Sequence, residues 1–94
     1  MDGAGEPGGG SSTRMGFEGL VVLFGTTGLV HLGAAPDPAS GERRVDLEQA
    51  KQTIDVLELL KEKTAGNLTA AEAEVLDRVL FDLRWRYVDA AKQR

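Results

Sequence analysis

With 94 residues, 11 Lys+Arg against 15 Asp+Glu, a net charge of -4 and no cysteine, the chain holds one small domain at most. The acid excess withholds the basic field that general nucleic-acid binding needs, and the missing thiols exclude disulfides, thiolate metal sites and a cysteine nucleophile. So short a body buries its surface only marginally as a monomer, so oligomerisation is an expectation before any motif is read.

Residues 1–14 (MDGAGEPGGGSSTR) are rich in Gly and Ser and hold nothing able to anchor a core. They read as a disordered leader to a single helical domain over residues 15–94, because ordering them has no apolar burial to offset its entropy. Gly8-Gly9-Gly10 is no phosphate cradle, since no Lys follows in a GK[ST] pattern and no strand precedes it.

Phe17 to Gly33 (FEGLVVLFGTTGLVHLG) is apolar nearly all round and has to be hidden. Its length favours a helix over a strand, starting near Met15 to Phe17 with Ser12 or Thr13 as cap and stopping at Gly33. At about 100° per residue, Val21, Gly25, Gly28 and Leu32 share a face, with Leu20, Phe24, Thr27 and His31 beside it. Gly25 and Gly28 cost helix propensity but admit the close approach of another helix. The run falls short of the roughly 20 apolar residues of a bilayer span and spends four places on glycine. As an export signal it has a poor start, with Asp2 and Glu6 against Arg14 alone, and a cut after Ala35 would expose Pro36. The expectation is a cytoplasmic protein, not an integral membrane one.

Ala34 to Arg44 is a connector, with Pro36 and Pro38 stopping the helix and Asp37 and Ser40-Gly41 supplying turn chemistry. A second helix starts at Asp46, an N-cap with Gln49 three residues on and Val45 and Ala50 placed as a staple. Leu47, Ala50, Ile54 and Leu57 follow the helical period, widened by Val56, Leu59 and Leu60, and Gly66 suits the left-handed position beyond the end. A third helix starts with Thr69 and Glu72 as capping box and runs a three-four seam through Ala73, Leu76, Leu80, Leu83, Tyr87 and Ala90. Gly66-Asn67-Leu68 is short enough to force these two helices into an antiparallel hairpin. The fold class is therefore all-α: an apolar N-terminal helix plus this hairpin, a three-helix arrangement completed by self-association.

The sequence resembles a small bacterial family known as domain of unknown function 1844. The matching strings are Leu29-Val30-His31-Leu32-Gly33, Pro36-Asp37-Pro38, Thr53-Ile54-Asp55 with Leu57 and Leu60, Lys63-Thr64, Gly66-Asn67-Leu68-Thr69, Leu83-Arg84 and Arg86-Tyr87-Val88. The resemblance covers nearly everything beyond the leader. It implies helicity and lends no catalytic residue, cofactor or partner.

His31 is the single histidine, and no serine or cysteine lies near it in sequence to be activated. As a metal ligand it would need Asp37, Asp46 or Asp55, an oxygen-rich set with one nitrogen. The plain reading is a histidine near a helix C-terminus. Glu74, Arg78, Asp82 and Arg86 form an i,i+4 ladder, the mark of a solvated helix face. Arg84-Trp85-Arg86-Tyr87, with Arg78, Lys92 and Arg94 around it, is the one basic–aromatic cluster. It could stack bases, but Trp, Tyr and Arg are also the usual anchors of protein interfaces.

The expected function is a small helical interaction or structural protein, a homo-oligomer open to a protein partner, with no cofactor, no metal and no catalysis. The association surface is placed on Val21, Phe24, Gly25, Gly28, Leu29 and Leu32 of the first helix and on Phe81, Trp85 and Val88 of the third. The alternative is a peripheral membrane-associated or nucleic-acid accessory factor, which liposome flotation or salt-sensitive retention on heparin would reveal.

Overall fold

The structure, a computed structural model, describes residues 16–93. The expected leader, the expected caps Ser12 and Thr13, and Arg94 lie outside the described residues. Three helices follow one another: α1 (Phe17–His31), α2 (Leu47–Lys63) and α3 (Ala70–Lys92). Each packs against both of the others.

α1 opens at Gly16, whose backbone is extended and which has no side chain to cap with. Its end is better defined. Gly33 N–H donates to Val30 O and Ala34 N–H donates to Leu29 O, with Gly33 at φ 74. These are the paired bonds of a Schellman stop, which needs a residue tolerant of the left-handed region just past the C-cap. The connector turns on Asp37, which accepts from Ala39 N–H at 2.7 Å, then comes back to α1. There Leu32 and Val45 form an isolated antiparallel bridge and Asp46 N–H donates to His31 O at 2.7 Å. α1 and α2 therefore run antiparallel, laced together at the turn between them.

α2 starts as its sequence implies, Gln49 N–H donating to the Asp46 carboxylate at 3.1 Å. α3 carries the full reciprocal box: Glu72 N–H donates to Thr69 Oγ1, and Thr69 N–H donates to Glu72 Oε1. Two ion pairs span the hairpin, Lys61 to Asp77 at 2.8 Å and Arg84 to Glu58 at 2.6 Å. As the α2 number falls the α3 number rises, so the hairpin is antiparallel as its short loop requires.

The core is Val21 of α1, Leu32 just beyond it, Ala50, Ile54 and Leu57 of α2, and Leu76, Leu80 and Leu83 of α3. The expected α3 seam thus faces inward, with Tyr87 and Ala90 half-buried at its C-terminal end. The α2 stripe is narrower than its sequence suggests. Leu60 packs against the core, but Val56 and Leu59 are exposed. Leu59 stands about 200° round the helix from Leu57, so no neighbour in a three-helix bundle reaches it.

α1 is the element that closes the bundle. A Cβ on Gly25 would stand 3.0 Å from Val79 Cγ1, and one on Gly28 would meet both Leu83 methyls and, at 3.4 Å, Thr53 Cγ2. Gly28 therefore touches both helices of the hairpin at once. Because Gly25 meets Val79 and Gly28 meets Leu83 in ascending order, α1 runs parallel to α3. The small side chains admit two helices, and the Val21–Gly25–Gly28 face of the apolar run is hidden inside its own chain.

Candidate functional site

α3 has two apolar rows, and its own fold uses only one. The inner row is saturated. The outer one remains bare: Phe81 is 71% exposed, Trp85 61% and Val88 53%. These three project roughly 120–180° away from Leu76, opposite the side that faces the core. α1 lies on the Val79 flank of α3 and leaves this row uncovered.

The residues expected to form an association surface are thus divided by the fold. Val21, Gly25 and Gly28 are buried along α1 and Leu32 just past its end, turned to α2 and α3; Gly25 and Leu32 show only an edge, each at the rim of a shallow groove. This corrects their placement: the tightest face of α1 is spent on intramolecular packing. Phe24 and Leu29 are half-buried against the core, at its margins. Of the nine, Phe81, Trp85 and Val88 are more than half exposed. Sequence periodicity missed Val22 and Leu23, both more than half exposed on the outer side of α1. An apolar run gives no contrast from which to read its exposed edge. Val22 and Leu29 line a shallow groove with Val79, Asp82 and Leu83 beside the α1–α3 contact.

Trp85 also borders a second groove, formed with Leu32, Ala34 and Val45 of the α1–α2 turn and Arg86, Asp89 and Ala90 of α3. The row is flanked by charges already paired within the chain. Arg78 binds Glu74 at 2.9 Å, Arg86 binds Asp82 at 3.0 Å, and Arg84 reaches across to Glu58. The arginines beside Trp85 each have an acidic partner within the chain, and Tyr87 is drawn into the seam. A base-stacking surface wants the opposite, free cations around open aromatics.

A polar depression surrounds His31, lined by Asp37, Ser40, Glu42, Arg44 and Asp46. Its side chains serve local structure. Asp37 and Ser40 accept turn N–H groups, Asp46 caps α2, and Glu42 pairs with Arg44. Among the described residues no side-chain hydrogen bond joins Ser40 to His31. Asp37 and Asp46 do approach His31, whereas Asp55 is on α2 bound to Lys51. Among the described residues, no three His, Asp or Glu side chains converge as metal ligands. Nor is any described helix long and apolar enough to cross a membrane.

No curated protein and no solved structure matches the chain. A match to a family profile extends over residues 14–89, from just before α1 into the last turns of α3. It takes in all three helix starts and the exposed aromatic row. The chain belongs to the family described as Domain of unknown function (DUF1844).

Proposed function

We propose that this chain is a small cytoplasmic interaction protein that self-associates by burying the Phe81–Trp85–Val88 row of α3. The observation that carries this reading is the pair of large aromatics one turn apart, 71% and 61% exposed, on a helix whose opposite face is full. Scattered surface apolar residues need no explanation, but a contiguous aromatic row has the composition of an interface anchor.

Magnitudes set the strength of the association. A buried aromatic covers 150–250 Å², so Phe81 and Trp85 leave on the order of 300 Å² open per copy. Two copies closing on each other would hide about 600 Å², worth ~15 kcal/mol gross at 25 cal/mol/Å². Rigid-body and ordering costs of about 4–15 kcal/mol oppose it. The result is an association that dilution can reverse, not a permanent assembly. The commitment of the polar groups around His31 to turns and caps supports a role in binding without a chemical step.

Light scattering across a dilution series tests the reading. Mass that falls with dilution, and falls sooner for Trp85→Ala, is expected. Retention on heparin or flotation with liposomes, with a monomer at every concentration, would favour an accessory factor instead.

A further inference from the structure

The outer face of α3 is longer than its aromatic row. Glu74, Arg78, Phe81, Trp85, Val88 and Lys92 alternate steps of four and three, and all six are exposed. That is the a/d spacing of a coiled-coil seam, apolar at Phe81, Trp85 and Val88 and charged at the other three positions. α3 thus carries two such seams, one closed by its own bundle and one open to solvent.

The open seam has an internal symmetry. Phe81 and Trp85 stand two residues either side of Leu83, Arg78 and Val88 five, Glu74 and Lys92 nine. We propose that a second copy of this chain docks on this seam with its α3 antiparallel, the two-fold axis passing at the level of Leu83. This rests on the self-association proposed above and adds its direction and register.

In that pairing Phe81 faces Trp85 of the second copy, and the reverse, so the aromatics stack at the centre, where interface anchors belong. Glu74 faces Lys92 of the second copy at both ends. Arg78 lays its stem over Val88 of the second copy, with Asp89 of that copy within reach of its guanidinium. A parallel pairing would set Glu74 on Glu74 and Lys92 on Lys92, like charge on like charge. The charges therefore choose the antiparallel arrangement, as flanking charges do in helical pairs.

The size fits. From Glu74 to Lys92 the seam is about 27 Å long at 1.5 Å per residue. The aromatics supply about 600 Å² in the pair. Val88 and the aliphatic stems of Arg78 and Lys92 bring it toward the lower range of specific interfaces, near 1,200 Å² in total. The symmetry is isologous and closes at two copies, so it leads to a dimer and not a filament.

The chain has no cysteine, so a single Gln93→Cys carries one spin label per copy of the full-length protein. Antiparallel pairing about Leu83 separates the two labels by about 30 Å along the helices. Parallel pairing brings them within about 10 Å, the spacing of packed helices. A dimer with the long separation supports the proposal; a dimer with the short one overturns it and leaves self-association standing. A monomer at every concentration overturns both. Charge exchange gives an independent reading. Glu74→Lys and Lys92→Glu should each weaken the dimer about fivefold or less, as two exposed bridges are lost and like charges meet. The double variant Glu74→Lys/Lys92→Glu should restore it, and failure to restore would also overturn the register. Circular dichroism confirms that each variant keeps its helices.

Discussion

Gly28 lies against Leu83, and a Cβ added to the glycine would stand 2.9 Å from one leucine methyl and 3.0 Å from the other. Leu83 is 1% exposed, so those methyls have little room to give way. The closest approach of α1 to the hairpin is thus fixed by the absence of one carbon atom.

Two glycine substitutions on the same helix should part company for this reason. Alanine gains roughly 1 kcal/mol of helix propensity over glycine at either site. At position 28 the overpacking cost of about 1–3 kcal/mol meets or exceeds that gain. At position 25 the neighbour is Val79, only partly buried and bordering a shallow groove. Gly25→Ala should be near neutral, whereas Gly28→Ala should lose about 1 kcal/mol and Gly28→Leu several. Urea denaturation of the three variants reads the difference, and equal losses at 25 and 28 would contradict it.

Two of the left-handed glycines make a second contrast. Gly66 at φ 79 has open space where a Cβ would go, while Gly33 at φ 74 has Val45 Cγ2 at 2.9 Å. Both alanine variants pay about 1–2 kcal/mol of backbone strain. Gly33→Ala should add a clash that loosens the Leu32–Val45 bridge, so its melting temperature should drop further than that of Gly66→Ala.

The helix starts predict similar responses. The Thr69 and Asp46 side chains each accept one capping bond, from Glu72 N–H and Gln49 N–H, and Thr69→Ala keeps the backbone N–H that donates to Glu72. Thr69→Ala and Asp46→Ala should each cost about 1 kcal/mol. Thermal melts of the two variants provide the measure.

Alkaline pH should reveal the Lys51–Asp55 pair. The hydrogen bond to Asp55, then its charge, holds the Lys51 ammonium above its ordinary value of 10.5. A raised value in the folded chain means the contribution is complete below the ordinary value and disappears as pH climbs through the raised one. The pair is solvent-exposed, so the effect is small. The stability difference between the native chain and Lys51→Met should be constant near neutrality and begin to shrink only as pH climbs beyond 10.5.

Much of the fold was legible because its signals are local. Thr69 with Glu72, Asp46, Gly33 and Gly66 punctuate the chain by backbone chemistry, which acts within a turn and can be read from neighbours alone. The inner α3 seam was legible because charge surrounds it, so its period stands out. α1 offers no such contrast. Its small-residue face could be recognised as a close-packing face, but not whether Val21, Gly25 and Gly28 would meet the same chain or another. The hairpin answered that by presenting Val79, Leu83 and Thr53. Interhelical pairs such as Glu58–Arg84 were equally hidden, since they join residues 26 apart in sequence.

The most direct measurement is sedimentation velocity of the full chain and of Trp85→Ala over about a thousandfold range of concentration. Trp85 is exposed in the isolated bundle, so its loss should leave the helices intact. The native chain should move from one chain mass to two as concentration rises, with the variant's transition displaced at least tenfold upward, as hot-spot truncation implies. A native chain that stays monomeric throughout, or a variant that dimerises just as readily, would contradict the proposal that the α3 row is a self-association surface.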